Sequence, residues 1–276
     1  MPMKASDFYI LSDWDGTLVL PDLTIPIRNI EAVNRFTERG GRFGIATGRP
    51  PRWLDVLTNV LNVNAPCIWN NGAIIHNHTT GETLKETFLS EKTKPYCGII
   101  LNSPLPSIVK VMTARGVLSI ASTNDKTEPL MEFMNKHNYP YDNLIQWQSI
   151  TEPWYKMVVM VLPEHHGEWL DYIAQQKMSG LSFTFSDRYM LEVLPDGVNK
   201  GSAIQYLIDN AGYRRDQIAC IGDYYNDVEM LQAAGLTAAP ASAQQEIKDI
   251  ADILTGPFED GAVADLIEYL ENKYDY

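Results

Sequence analysis

Residues 8–17 read FYILSDWDGT, an apolar run that stops at a polar, turn-prone segment. A buried parallel strand ends in this way. The turn carries two carboxylates, Asp13 and Asp15, and Gly16 permits a tight backbone path. We therefore expect both aspartates to lie directly after a buried strand.

The residues that follow alternate between helical and strand patterns. Apolar residues recur at helical spacing from Ile27 to Phe36, and residues 43–46 form a second apolar run. A further helix is predicted over residues 53–60, ahead of an apolar patch at residues 67–69. The order β-α-β-α-β is typical of a parallel sheet that is covered by helices.

The pattern changes after residues 70–72, and we interpret the next stretch as an inserted domain. A hairpin is followed by mixed elements up to about Tyr189. The clearest are a strand at residues 156–162, a helix at residues 165–178 and alternating strands at residues 181–194. These elements predict an antiparallel sheet with helices.

From Lys200 the parallel pattern resumes, with a helix that Gly212 terminates and a new strand at residues 218–221. A last amphipathic helix closes the chain. The predicted fold class is α/β: a parallel-sheet core of residues 1–86 and 190–276, interrupted by an inserted α+β domain of residues 87–189.

The composition limits the classes of partner. With 276 residues, 45% of them hydrophobic and 21% charged, the chain lies within the range of folded globular proteins. Its formal net charge of −13 would repel DNA, RNA or an anionic membrane surface. We therefore expect neither a nucleic-acid nor a membrane partner, whereas a small anion could enter a locally positive pocket.

Signals for export and for disulfides are weak. The first residues lack a basic segment followed by a signal-peptide core, and no apolar run approaches the roughly 18 residues of a membrane span. Cytoplasmic residence is the expectation. The three cysteines, Cys67, Cys97 and Cys220, are odd in number and widely spaced, so we expect buried apolar thiols.

Polar clusters follow three of the predicted parallel strands, and such strand ends form the ligand crevice of open α/β sheets. After the first strand come Asp13 and Asp15. After the second come Thr47, Gly48 and Arg49, where a hydroxyl and backbone N–H groups could hold phosphate oxygens. After the strand at residues 218–221 come the carboxylates of Asp223 and Asp227, which could bind a hard cation.

Each cluster alone also has an ordinary structural explanation. Aspartates cap turns, the segment around Gly48 could be a plain turn, and Asp223 could be a helix N-cap. Lys200 is different, because the helix dipole disfavours a cation at a helix start. The four features occur together, each at a strand end or helix start, and this combination favours a shared site.

The four segments resemble the motifs of the haloacid dehalogenase-like hydrolases. The matching residues are Asp13-x-Asp15-Gly16-Thr17, Thr47-Gly48-Arg49, Lys200, and Gly222-Asp223-x-x-Asn226-Asp227. The insertion, together with Asn70-Asn71-Gly72-Ala73, is similar to the Cof-type branch with its large α/β (C2-type) cap. The resemblance implies a doubly wound, Rossmann-like core and a cap domain that determines substrate specificity.

The resemblance also implies a mechanism for phosphate-ester hydrolysis. Asp13 would attack phosphorus to form an aspartyl-phosphate, and Asp15 would protonate the leaving oxygen and later deprotonate a water molecule. Mg²⁺ would be the cofactor, with Asp13, Asp223 and the backbone carbonyl of Asp15 as its ligands. Asp227 would support the metal shell or orient Lys200.

The remaining roles that the resemblance implies concern the substrate. Lys200, Thr47 and Gly48 would bind the phosphoryl group, with Asn226 as a further contact. The predicted function is a magnesium-dependent phosphomonoesterase for small phosphorylated metabolites such as sugar phosphates. Two alternatives are a phosphotransferase, such as a hexose-phosphate mutase, and a catalytically silent binding or regulatory module.

The residues that would contact the leaving group are harder to assign. Candidates for that role are Arg49, Asn71 and Arg188, together with Lys156. A solvated surface position is the simpler interpretation of Lys156 and Arg188. Three aromatic residues of the insertion could line a sugar site, although core packing is the simpler role: Trp147, Trp154 and Tyr155. Trp14 is expected to pack beneath its loop.

Overall fold

The computed structural model of the protein describes residues 3–56, 59–121, 127–136 and 146–275. The chain divides into two compact units. The first, the core unit, comprises Met1–Glu86 and Asn199–Tyr276, and the second, the inserted unit, comprises Thr87–Val198. The predicted α/β fold with an insertion is confirmed.

The secondary structure is as follows. The strands are β1 (Tyr9–Ser12), β2 (Arg42–Ile45), β3 (Pro66–Trp69), β4 (Ile74–Asn77), β5 (Glu82–Glu86), β6 (Ile108–Thr113), β7 (Gly116–Ala121), β8 (Trp154–Met160), β9 (Leu181–Asp187), β10 (Met190–Pro195), β11 (Ile218–Ile221), β12 (Leu236–Pro240) and β13 (Ile253–Thr255). The α-helices are α1 (Ile27–Glu38), α2 (Tyr96–Leu101), α3 (Glu128–Lys136), α4 (His166–Gln176), α5 (Lys200–Asn210), α6 (Val228–Ala233), α7 (Gln245–Ile250) and α8 (Ala262–Tyr274).

A five-stranded parallel sheet forms the centre of the core unit, in the order β13-β12-β11-β1-β2. All four residues of β1 are buried, as the apolar run from Tyr9 to Leu11 predicts. Tyr9 and Leu11 pack with α5 and α6 in one apolar cluster. Strand β3 lies beside the end of β2, where Ala46 and Ile68 form a parallel bridge. It also forms a three-stranded antiparallel sheet with β4 and β5.

The inserted unit contains a five-stranded antiparallel sheet in the order β7-β6-β8-β10-β9. One face carries alternate apolar residues of β6, β8 and β10, which pack with residues of α2 and α4 such as Trp169. Trp154 is fully buried in this cluster and Trp147 packs against it, as core packing predicts. Tyr155 is also buried.

Lys156 was expected on the surface, and this prediction is wrong. Its side chain is 1% exposed, and Nζ lies 2.6 Å from Oε2 of Glu192 on the neighbouring strand β10. Ser186 donates a hydrogen bond to the other oxygen of that carboxylate at 2.7 Å. Burial is tolerated because the charge is paired.

The structure also moves the second boundary of the insertion, from residue 190 to residue 199. Strand β10 is hydrogen-bonded on both sides to strands of the inserted unit, β8 and β9. Its backbone groups are therefore satisfied within that unit.

Helix formation after β2 differs from the prediction. Pro51–Val56 forms a 3₁₀-helix in place of the first part of the predicted α-helix, and residues 57–58 lie outside the described residues. Two consecutive prolines, Pro50 and Pro51, remove backbone donors at this start, and short 3₁₀ segments suit such positions.

Two smaller expectations concern thiols and membrane spans. The three cysteines are buried, and burial raises the pKa of the Cys67 and Cys97 thiols to about 12. None of the described helices combines the length and the hydropathy that a membrane crossing requires.

Candidate active site

The ends of the neighbouring strands β1 and β11 bring Asp13 and Asp223 together. Ser12 of β1 pairs with Ile221 of β11, and the backbone N–H of Asp13 donates to the carbonyl of Ile221 at 2.9 Å. Asp13 and Asp223 therefore leave the sheet side by side, as the shared crevice of parallel strands predicts. Asp13 is 6% exposed.

Three carboxylates and one ammonium form the centre of the site. One oxygen from each of Asp13, Asp223 and Asp227 lies within 4.8 Å of the others. The Nζ atom of Lys200 lies 2.5 Å from Oδ1 of Asp13 and 2.5 Å from Oδ1 of Asp227. Lys200 and Asp227 are completely buried. The four residues that the sequence assigned to one site therefore lie close together, and Lys200 contacts two of the three carboxylates directly.

The electrostatics of this cluster favour a bound cation. Burial raises the pKa of Asp13 to about 7, against the opposing effect of the Lys200 ammonium, and Asp227 raises it further. Burial also raises the pKa of Asp223 well above its ordinary value, with Asp13 and Asp227 adding to the rise. One ammonium leaves two negative charges in excess when the three carboxylates ionise. An all-oxygen donor set with this charge fits Mg²⁺.

The ammonium of Lys200 stays protonated in this environment. Burial alone would lower its pKa, but the attraction of Asp13 and Asp227 outweighs burial and raises it. The unfavourable position at a helix start is thereby offset by two direct ion pairs. Lys200 is placed to present a fixed positive charge to an anion.

The start of α5 holds Lys200 in position. The side chain of Asn199 caps the helix by accepting a hydrogen bond from the N–H of Ser202 at 2.7 Å. Gly72 packs directly against Asn199: a Cβ atom at Gly72 would lie 2.1 Å from the Asn199 carbonyl oxygen, and its φ is +100°. Only glycine satisfies both conditions.

Asp223 is positioned by the first motif. Gly16 has φ +75°, and a Cβ atom there would lie 2.4 Å from Oδ2 of Asp223. Thr17 donates from its hydroxyl to Oδ1 of Asp223 at 3.2 Å. Asp227 contributes from the other side, because its Oδ2 accepts the N–H groups of Asp223 at 3.0 Å and of Tyr224 at 3.2 Å.

Asp15, the expected proton donor, has a partner that the sequence did not indicate. Arg49 Nε donates to Oδ2 of Asp15 at 2.8 Å, and a terminal nitrogen donates to Oδ1 at 2.7 Å. The Arg49 guanidinium also lies 4.3 Å from the Trp53 ring centroid. The structure thus places the Arg49 guanidinium on the carboxylate of Asp15, the expected proton donor. Its predicted role as a substrate contact stays a prediction.

Thr47 and Gly48 begin the turn after β2, beside the end of β1. Ala46 donates its N–H to the carbonyl of Ser12 at 2.8 Å, which places Thr47 next to the Asp13 segment. The Thr47 hydroxyl accepts a hydrogen bond from the N–H of Arg49 at 3.1 Å. Its own proton can then be donated to another group.

Two further candidates of the core unit, Asn71 and Asn226, are bonded to each other. Asn226 Nδ2 donates to Oδ1 of Asn71 at 3.0 Å, and both residues are buried. The sequence does not predict this contact. Each of the two residues does, however, belong to a polar run that follows a strand, β3 for Asn71 and β11 for Asn226. Arg188 belongs to the inserted unit, where its guanidinium lies 4.7 Å from the Tyr189 ring centroid.

Trp14 is completely buried, as predicted, and its ring centroid lies 6.5 Å from that of Trp69. The tryptophan between the two aspartates therefore contributes to the core beneath the turn.

Comparison with known proteins supports the reading of the motifs. The family model described as haloacid dehalogenase-like hydrolase matches residues 10–267. A 5-amino-6-(5-phospho-D-ribitylamino)uracil phosphatase of Bacillus subtilis is 26% identical, with 95% of this chain and 97% of the relative covered. A pyridoxal phosphate phosphatase of Escherichia coli is 22% identical, with 94% of this chain and 96% of the relative covered.

The fold has close counterparts among solved structures. A haloacid dehalogenase-like hydrolase from Bacteroides thetaiotaomicron superposes with a TM-score of 0.77 and 25% identity, covering 95% of this chain and 99% of the other. The match extends across both units. The chain therefore belongs to the haloacid dehalogenase-like hydrolases, the enzyme family that its four motifs predicted.

Proposed function

We propose that the protein is a magnesium-dependent phosphomonoesterase that hydrolyses small phosphorylated metabolites, such as sugar phosphates, through an aspartyl-phosphate on Asp13. The observation that carries this proposal is the contact of Lys200 with both Asp13 and Asp227 beside Asp223. The two relatives named above act on different phosphorylated compounds, and this diversity supports a small phosphate ester as the general substrate class.

The reaction takes place in two steps. In the first, the Asp13 carboxylate attacks phosphorus, the bond from phosphorus to the leaving oxygen breaks, and Asp15 gives its proton to that oxygen. In the second, a water molecule attacks phosphorus and gives a proton to Asp15, and the bond between Asp13 and phosphorus breaks. Inorganic phosphate leaves, and both aspartates return to their starting states.

The surrounding residues make the approach of two anions feasible. Lys200 supplies a fixed positive charge, and the Thr47 hydroxyl and the Gly48 backbone N–H are donors for the phosphoryl oxygens. Asp13, Asp223 and the backbone carbonyl of Asp15 would hold Mg²⁺, which supplies charge neutralisation at the phosphoryl group when it is bound. Both oxygens of Asp227 already accept hydrogen bonds, so we assign it the positioning of Lys200.

Phosphate release from a panel of phosphorylated metabolites tests this function. The wild-type protein should release inorganic phosphate with Mg²⁺ and stop when a chelator is added. Asp13→Asn should fold normally and lose turnover, because the amide has the same shape and is a poor nucleophile. Normal turnover in that variant would contradict the proposal. Release of phosphate without an acceptor sugar distinguishes hydrolysis from phosphotransfer.

A further inference from the structure

The side chain of Asn71 contains a buried donor that the fold does not use. Asn71 is 1% exposed, and its Oδ1 accepts the hydrogen bond from Asn226 Nδ2. Among the residues that the structure describes, Nδ2 of Asn71 has no hydrogen-bond partner. A buried N–H group without a partner costs stability, so such a group in a native protein calls for an explanation.

The backbone holds Asn71 in an unusual conformation. Asn70 and Asn71 have φ values of 50° and 54°, in the left-handed region, and Gly72 follows at 100°. Asparagine tolerates this region better than most residues, but a run of three is uncommon. The segment is nevertheless fixed, because the Asn71 N–H donates to the carbonyl of Thr47 at 2.9 Å.

Asn71 and its neighbour Gly72 are together in contact with three of the segments that build the active site. Its backbone is bonded to Thr47, and its side chain is bonded to Asn226, which directly precedes Asp227. The next residue, Gly72, packs against the backbone at the start of α5, beside Lys200. The free donor therefore lies among the residues that surround the phosphoryl group in the proposed reaction.

We propose that Asn71 donates a hydrogen bond through Nδ2 to a phosphoryl oxygen of the bound substrate, and that Asn226 is a positioning residue that fixes the orientation of this amide. With Oδ1 held by Asn226, Nδ2 must point away from Asn226. A neutral donor adds a contact to the phosphoryl group without a further buried charge. This inference rests on the proposed function, since it assigns one more contact in the same site.

The substitution Asn71→Asp tests the assignment, because it removes the Nδ2 donor and keeps the acceptor for Asn226 and the backbone conformation. A carboxylate at this position still accepts the hydrogen bond from Asn226 and also tolerates positive φ. It removes the donor and places a negative charge near the phosphoryl group. The inhibition constant of inorganic phosphate and the KM for para-nitrophenyl phosphate should both rise by at least about tenfold, the effect expected when a hydrogen bond to a charged group is lost.

Asn70→Asp is the matched control. Asn70 is equally buried, shares the left-handed conformation and precedes Asn71 directly. It places the same charge in the same turn and leaves the Asn71 donor intact, so the phosphate inhibition constant should change far less. Asn71→Gly is the second test variant, because glycine adopts this backbone without strain and removes the side chain. It too should weaken phosphate binding, by about tenfold.

Three results would overturn the assignment in a wild-type enzyme that is active. The first is an unchanged phosphate inhibition constant in both Asn71 variants. The second is an equal rise in Asn70→Asp and Asn71→Asp, which would indicate a general charge effect. The third is a higher KM for the ester with unchanged phosphate inhibition, which would place Asn71 on the leaving group. Absence of turnover in the wild-type protein would instead refute the proposed function.

Discussion

The guanidinium of Arg49 binds both carboxylate oxygens of Asp15, at 2.8 Å through Nε and at 2.7 Å through a terminal nitrogen. The Asp15 side chain is 59% exposed, so its conformation depends on this partner more than on packing. The planar guanidinium of arginine donates two parallel hydrogen bonds to a carboxylate, a geometry that the ammonium of lysine does not provide. Arg49 therefore determines where the proposed proton donor points.

Arg49→Lys should lower kcat by at least about tenfold, a part of the roughly 10² to 10⁴ that a positioned general acid contributes. The physical reason is that one hydrogen bond replaces two and Asp15 gains rotational freedom. Steady-state kinetics with para-nitrophenyl phosphate measure this effect. Trp53→Leu is the control, because it removes the ring below Arg49 and leaves the ion pair; its loss should be about threefold. Equal kcat in Arg49→Lys and wild type would refute the positioning role.

Lys200→Met should destabilise the metal-free protein by about 3–5 kcal/mol, since it leaves buried carboxylates without their cation. Urea unfolding in a chelator measures this loss. Mg²⁺ should recover part of it, because the ion replaces some of the missing positive charge. Asp227→Asn is the comparison: it keeps Lys200 paired with Asp13 and should cost less. A Lys200→Met variant as stable as wild type without metal would contradict the expectation.

Gly16→Ala should weaken Mg²⁺ binding, because the new methyl group would lie 2.4 Å from Oδ2 of Asp223 and displace that carboxylate. Gly81→Ala provides a matched control. Its φ is +72°, close to the +75° of Gly16, and no atom lies within 4 Å of the added Cβ.

Both alanine variants should lose about 1 kcal/mol from the strained backbone. Only Gly16→Ala should also show a lower magnesium affinity by calorimetric titration. Equal affinities in the two variants would show that Asp223 does not depend on the space at residue 16.

The stabilisation that Mg²⁺ provides should depend on pH. The pKa of Asp13 is raised to about 7 in the folded protein, above its ordinary value, so the protonated form favours the metal-free fold. The stabilisation that protonated Asp13 gives the metal-free protein is complete below the pKa of this carboxyl in the unfolded chain. It is lost as the pH rises through about 7. Mg²⁺ needs the ionised carboxylate and must displace the proton at lower pH.

The rise in Tm on adding Mg²⁺ should therefore be larger at about pH 8.5 than at about pH 5.5. Thermal unfolding in the presence of Mg²⁺ or a chelator at both pH values gives the comparison. Asp13→Asn should reduce the pH dependence, because an amide does not titrate in this range. An equal rise in Tm at both pH values in the wild-type protein would exclude a titrating Asp13 as a ligand.

The centre of the site could be predicted because its residues follow from local patterns. Asp13 and Asp223 each follow an apolar run by one residue, and parallel strands align their ends at one edge of the sheet. Lys200 was identified because a cation is unexpected at a helix start. Its pairing with Asp227 was one of two predicted roles for that aspartate, and the 2.5 Å contact agrees with it.

The features that the sequence did not predict depend on contacts between distant segments. The strand pattern around Lys156 does not reveal Glu192 as a partner, because the pairing of β8 with β10 is set by the register of an antiparallel sheet. The same pairing moved the boundary of the inserted unit. Arg49 and Asp15 are likewise far apart in sequence, and nothing local couples a turn arginine to that carboxylate.

The close packing of Gly72 against the backbone of Asn199 has a consequence for the evolution of this enzyme. Lys200 begins the first helix after the inserted unit, yet its cap, its backbone neighbour and its two carboxylate partners all belong to the core unit. The position of Lys200 is therefore determined by residues of the core unit. If the proposed function holds, mutations in the inserted unit can change substrate preference and leave the contacts of Lys200 with Asp13 and Asp227 intact.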